Sequence, residues 1–522
     1  MSMHRRSASG EEGIALILAM FMVLAVSMLG ASLVSVGRSE TMSSLNYKTL
    51  AQARYAAESG LNSAANYLIY TYTAPGNDAA DPMAAFVYEN TSPVTTLDGN
   101  PVVLSTNMDK SNYPIESKKK AFHDRAMGEL TMSRSKANYT ATATLVSMRK
   151  FKDAYTLTDV TVQTWSITGS GTLEGAGAAD VEVTAVIETQ AVPTFRYAAF
   201  AAYKGCKALS FGGGGSTDSY DSSDALDPVT HLPTKAANGG NVGTNGNLDE
   251  VGATTVIKGT LSTPRSGVGN CTTNNVTALS FSTAQELTDK VNGGLVELPQ
   301  VVPEPDPAQI SPAPPTTATS LNKTGGCPAG VTNCAMYFDP SSGNKAGVTL
   351  TPAAGVAHSL GDVKLTGGME LHLGAGTYEW NSISITGSAK IVIDSGPVIF
   401  KIAGKDQTSP IDLTGSSVSN KTYKPENFQI IYAPPPADIA AIEAGTLNKN
   451  VKVAGGSEAS MLVYAPRADG TITGGSDLYG AIIFNKVKDM GGTTIHYDRN
   501  LQRSAYTSGN PTITSFSWNV GS

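Results

Sequence analysis

The sequence predicts a mainly β protein led by one long N-terminal α-helix. A small α+β head should follow the helix, and then a right-handed parallel β-solenoid. Three observations predict this. An uncharged apolar run occupies residues 14–36 near the start of the chain. Alternating strands rich in Val and Thr begin at Tyr139. Beyond Pro193, short strands recur between Gly, Asn and Asp turns.

The apolar run has about 23 residues and no Pro, enough to cross a hydrocarbon core of about 30 Å as one helix. His4, Arg5 and Arg6 precede it; Arg38, Glu40 and Lys48 follow. The positive flank predicts a cytoplasmic N-terminus in the inner membrane and a body on the outer side. A secretory signal would have a shorter core ending in a small-residue cleavage site, whereas Gly30, Ala31 and Ser32 lie inside this run. Helical spacing then continues through Met42, Leu45, Ala53, Ala56, Ala57, Leu61, Ala64, Ala65 and Leu68. The helix is expected over 14–72 and stops at Thr73-Ala74-Pro75-Gly76. At 1.5 Å per residue it would be roughly 90 Å long. Arg54 and Glu58 on it form an i,i+4 pair, most simply a surface ion pair.

Residues 9–18, Ser-Gly-Glu-Glu-Gly-Ile-Ala-Leu-Ile-Leu, resemble the class III leader of type IV pilin-like proteins. Residues 56–61, Ala-Ala-Glu-Ser-Gly-Leu, resemble a signature of the PilX-type minor pilins. The resemblance covers 8–72. It implies a leader over 1–13, cleavage between Gly13 and Ile14 by prepilin peptidase, and methylation of the new N-terminal Ile14. Major pilins carry Glu at the fifth mature position, where it is thought to neutralise a neighbour's terminal amine. Here that position is Leu18. A buried unpaired ammonium is costly, so the departure implies a specialised subunit rather than one repeated along a fibre.

Composition agrees with an exported, inert body. The chain has 522 residues, 53 Gly, 27 Pro and only 16% charged residues, with a net charge of −7. No Lys/Arg stripe with interleaved aromatics is present, which argues against a nucleic-acid partner. The head is expected over 73–195. Its strands start at Tyr139, Asp159 and Asp180, and period 2 makes them half-exposed. Gly169, Gly171, Gly175 and Gly177 read as turns, and Lys118, Lys119 and Lys120 as a solvated face. Over 196–500 each short strand has too few inward positions to bury a face alone, but stacked copies can. A β-sandwich is the alternative fold, since its strand spacing overlaps. The body also resembles a β-helical ectodomain of unknown function found after PilX-type N-termini, which implies architecture but no chemistry. The Pro-rich stretch 297–319 reads as an extended excursion crossing the surface. Residues 501–522 read as a tail.

Four Cys, all beyond residue 200, suit disulfides on the exterior side. Cys327 and Cys334 bracket a loop short enough to close locally. Cys206 with Cys271 is then the default pairing among the connectivities open to them. Asp218, Asp221 and Asp224, with Asp227, are the weak metal candidates. Their spacing of three does not match an alternating Ca²⁺ loop, so a solvated turn is expected, with Ca²⁺ the remaining option. His231, His358, His372 and His496 are scattered, and no nucleophile–base pair is recognisable. His372, beside Leu371 and Leu373, is expected to face outward. The sequence therefore predicts a non-enzyme without cofactor. It would be a minor pilin-like subunit of a type IV pilus or related system, at the pilus tip, acting in assembly or priming, or in surface adhesion. Its partners would be other minor and major pilins, the inner-membrane assembly platform and prepilin peptidase, with a host or surface glycan as a further ligand. Lateral packing would use Gly30, Ala31 and Ser32 and, further out, Ala53, Ala57 and Ala64. The alternative is a membrane-anchored β-helix adhesin or carbohydrate-active protein that never enters a filament.

Overall fold

The computed structural model describes residues 12–76, 81–89, 91–132, 136–153, 155, 159–173, 179–252, 254–280, 284–489, 492–503, 506–509 and 511–520. The leader 1–11 and the turn candidates Gly175 and Gly177 lie outside them. The chain forms two compact units. One comprises residues up to 150, 161–190 and from 511 onward; the other comprises 151–160 and 191–510. The second is thus an insertion within the chain of the first.

In the first unit, α1 (Glu12–Tyr70) is a single helix of 59 residues. It is uninterrupted because no Pro lies within it. Its outer half packs on a sheet whose order is β1 (Val103–Ser105), β2 (Lys136–Lys152), β3 (Asp159–Leu173), β4 (Ala179–Glu188) and then the strand Thr512–Val520. The last strand pairs antiparallel with β4, Ile513 opposite Ile187 and Val520 opposite Val181. Residues 511–520, expected within a tail, therefore complete the sheet. Period 2 holds along β3 and β4: Trp165, Ile167, Val181, Val183, Ala185 and Ile187 are buried under the helix side. Gly169 and Gly171 are not turns but mid-strand residues of β3. A Cβ at Gly171 would stand 2.0 Å from the Ala53 carbonyl oxygen, and one at Gly169 2.3 Å from that of Ala57. Small residues on both sides let helix and sheet approach this closely.

The second unit is dominated by parallel pairing. Its longest ladder uses β5 (Ala199–Ala201), β6 (Val242–Thr244), β7 (Leu261–Thr263), β8 (Leu295–Glu297), β9 (Ala318–Asn322), β10 (His358–Thr366), β11 (Gly376–Ile385), β12 (Val398–Ile402), β13 (Phe428–Tyr432), β14 (Ser460–Ala465) and β15 (Asp477–Phe484). In space the order is β9 to β15, then β5, β6, β7 and β8, every pair parallel. A second parallel ladder runs 411–412, 450–454, 469–473, 487–489, 209–211 and 248–251. A third runs 345–350, 370–373, 389–393 and 416–419. A β-sandwich, the alternative fold, is built on antiparallel pairing instead. The strands turn few apolar side chains inward, from one in Val242–Thr244 and Leu261–Thr263 to three in Val398–Ile402, and stacking makes one core of them. Tyr378, Phe400 and Phe428 form an edge-to-face column with ring centroids 5.4 Å apart at each step.

The chain enters this long ladder in its middle. It builds outward to β8, and the Pro-rich segment then carries it to β9 at the opposite end. At about 4.8 Å per strand the ladder is roughly 48 Å long, within reach of a polyproline-like segment rising about 3.1 Å per residue. The segment is strapped down rather than free. Val302 and Ile310 are buried. Asn245 exchanges two hydrogen bonds with the Val302 backbone at 2.7 and 2.8 Å. Tyr464 donates to the Pro305 carbonyl, 2.6 Å, and Arg467 grips Asp306 through Nε and Nη2.

Candidate functional site: the apolar helix and the buried histidine clamps

The apolar part of α1 is the most prominent surface feature. Its most hydrophobic window has mean hydropathy 2.6 and no buried residue. Ile14 and Leu18 are 63% and 60% exposed, and Gly30 has nothing near its Cα on the side a Cβ would occupy. This stretch is long and apolar enough to cross a membrane. Further out the helix changes face. Ala53, Ala57, Leu61 and Ala64 are buried against β3 and β4 of the same chain. This corrects the expectation that Ala53, Ala57 and Ala64 pack laterally on other subunits, because their own sheet already occupies them. The exposed outer side carries Tyr47 and Tyr55 and the Arg54–Glu58 pair at 2.8 Å.

The basic patch is likewise not simply solvated. Lys118 pairs with the fully buried Asp81 at 2.7 Å and lies 4.9 Å over the Tyr72 ring. Tyr113 donates to the same carboxylate, and burial pushes the Tyr113 hydroxyl far above its ordinary value. Asp81 thereby ties the loop residue Tyr113 to the short helix Glu116–Ala126.

In the second unit, Cys206 is bonded to Cys271 and Cys327 to Cys334. The acidic candidates go separate ways. Asp218 is buried on the strand Ser216–Tyr220 and bonds His496 Nδ1 of the parallel strand Thr494–Asp498. Asp221 accepts the Ser223 backbone N–H at 3.0 Å in a turn, and Asp224 is exposed. Asp227 closes another turn onto Val229 and Thr230. Among the described residues no three His, Cys, Asp or Glu side chains gather closely enough to hold a metal ion.

The Asp218 contact belongs to a larger clamp. His496 Nε2 lies 3.0 Å from Asp477 Oδ1, and Lys235 pairs with Asp477 at 3.0 Å. Lys258 stands 3.6 Å from Asp218, and the Tyr479 ring lies 4.6 Å from the imidazole. Burial alone would lower the His496 pKa, but the Asp218 and Asp477 carboxylates outweigh it and raise it. The His496 bond, with Lys235 behind it, holds Asp477 well below the usual carboxylate range. His496 is only 2% exposed. Closed in this way, the imidazole bridges the strands that carry Asp218 and Asp477.

A second carboxylate–imidazole–carboxylate bridge lies on the third ladder. His372 contacts Asp394 at 2.8 Å and Glu370 at 3.1 Å, and the Tyr337 ring covers it at 3.6 Å. Leu371 and Leu373 lie in the core and His372 alternates with them on the opposite side, yet it is buried there, because the hairpin strand Cys334–Phe338 lays Tyr337 over it. His358 is also buried, with Nε2 2.9 Å from the Thr332 carbonyl. Neither bridge has a local sequence signal. Asp218 and His496 are 278 residues apart.

Comparisons with known proteins add two findings. A family described as a domain of unknown function, DUF7305, matches residues 358–504. The competence-associated pilin ComZ from Thermus thermophilus is similar at 14% identity with a TM-score of 0.23, over 91% of this chain and 98% of that one. No curated protein matches.

Proposed function

We propose that this chain is a minor pilin-like subunit of a type IV pilus or related system. The observation that carries the reading is α1: a 59-residue helix, bare and apolar over its first half and bound to its own sheet over its second. Such a helix has one use for each half. The first is stored in the inner membrane and then repacked among other pilin helices; the second fixes a head beside it. The resemblance of residues 9–18 to a class III pilin-like leader implies cleavage between Gly13 and Ile14 by prepilin peptidase, followed by methylation of Ile14. Leu18 offers no carboxylate to a neighbour's amine, and a body of some 320 residues (191–510) is bulky for dense repetition. Both favour a tip position, with a role in priming assembly or in adhesion, and with other pilins and the assembly platform as partners. The parallel ladders of the body support a right-handed β-solenoid as its architecture. No catalysis and no cofactor is required.

The test is the mature N-terminus, read by intact mass and terminal peptide sequencing in cells with and without prepilin peptidase. A chain beginning at methylated Ile14 only when the peptidase is present is expected. Retention of residues 1–13 in both strains would sink the reading in favour of a membrane-anchored surface protein. Immunogold labelling is expected at filament ends, and even labelling along the shaft would remove the tip assignment.

A further inference from the structure

One groove in the second unit is used by nothing described so far. It has a volume of ≈ 770 Å³ and is lined by the strap at 301–304 and residues of 442–448, together with Tyr203, Lys204, Lys486 and Arg467. That volume falls in the range of about 300–1,000 Å³ usual for small-ligand sites.

Its charges are unevenly committed. The Arg467 guanidinium is divided between Asp306, through Nε and Nη2, and Glu443, whose Oε1 lies 2.9 Å from Nη1. Among the described residues, neither Lys204 nor Lys486 has a carboxylate within ion-pair distance. Lys486 instead lies 4.5 Å over the Tyr203 ring, which is still 38% exposed. Glu304 is an acid that lines the same groove. Burial pushes its carboxyl up to about 8, against the opposing charge of Arg196 and a hydrogen bond from Tyr464, so at neutral pH it is mostly protonated. The groove is thus net positive, with an exposed ring, the Asn448 side-chain amide, the Asn485 amide, whose Nδ2 donates to Asp469 at 2.7 Å and leaves its oxygen to accept, and a neutral carboxyl. Rings and amides suit a polyol, and uncompensated lysines select a carboxylate carried on it.

We infer that this groove binds an acidic oligosaccharide, with Lys204 and Lys486 receiving sugar carboxylates and Tyr203 contacting the sugar body. The ligand does not depend on whether α1 enters a filament, so failure of one leaves the other standing.

The experiment is titration calorimetry on the full-length protein in nanodiscs of zwitterionic lipid. The probes are tetragalacturonate and its fully methyl-esterified, uncharged form. The acid is expected to bind, and the ester at least tenfold more weakly. The pair Lys204→Ala with Lys486→Ala should lower affinity for the acid at least tenfold, whereas Lys204→Arg with Lys486→Arg should retain it. Tyr203→Ala should weaken both probes, and an unchanged melting temperature separates these effects from misfolding. Binding of neither probe, equal binding of both, or affinity unmoved in the double Ala variant would overturn the inference. So would a glutamate oligopeptide that competes as well as the saccharide, since the groove would then read charge alone.

Discussion

At the scale of single residues, the side chains that matter most are those whose partners lie hundreds of positions away. His496 sits between Asp218 and Asp477, on a strand that pairs on both sides. Sequence spacing could present Asp218 only as a weak metal candidate, because its real partner is brought to it by parallel stacking. The charges dictate a pH signature. His496 is raised above its ordinary value, so its stabilisation is complete below about pH 6.5 and is lost as pH rises through the folded pKa. Asp477 is lowered, so its share is present above about pH 3.9 and is lost as pH falls. His496→Gln removes the cation and leaves two carboxylates facing each other. Breaking a buried pair of this kind costs about 3–5 kcal/mol. Urea unfolding against pH should show the wild-type advantage greatest between about pH 4 and 6.5, shrinking on either side. An advantage independent of pH would mean that the imidazole serves by shape alone.

At the scale of elements, periodicity told the helix and the strands but not what they touch. The Ala stripe of α1 was legible at 3.6 spacing, and Val/Thr alternation revealed β3 and β4. What could not be read was that Gly169 and Gly171 belong to the same contact as Ala53 and Ala57. Glycine marks turns and close approaches alike, and only the packing partner distinguishes them. The contact predicts a sharp response. Gly171→Ala places a methyl 2.0 Å from the Ala53 carbonyl oxygen and 2.4 Å from the Ala57 nitrogen, both backbone atoms held by the helix. Overpacking of this sort costs about 1–3 kcal/mol. Thermal unfolding followed at Trp165, whose ring is buried in that core, should shift downward. A Gly171→Ala protein no less stable than the wild type would show that helix and sheet can separate freely.

At the scale of the whole molecule, the chain path departs from the sequence order that residue patterns suggest. Short strands with Gly turns were legible; the order in which they stack was not. No local pattern can announce that β5 pairs beside β15, or that the Pro-rich segment joins opposite ends of one ladder, because both are consequences of closure over some 300 residues. The same holds for the last strand. Thr512–Val520 reads in sequence as part of a tail beyond the body, yet it returns to the first unit and covers the edge of β4 from Glu188 to Val181. This gives each unit a separable response to truncation. Removing residues 511–522 strips hydrogen-bond partners from β4, whose inward residues Val181, Val183 and Ile187 belong to the core under α1. Amide hydrogen exchange in Ala179–Glu188 should accelerate by an order of magnitude or more, since protection tracks local opening free energy and a lost ladder removes about 1 kcal/mol per bond. Exchange in β12 and β13 should be unchanged, because every partner of those strands lies within 191–510. Uniform acceleration in both units would show that they unfold as one. Unaltered protection in β4 would show that the returning strand is an ornament on a sheet already complete without it.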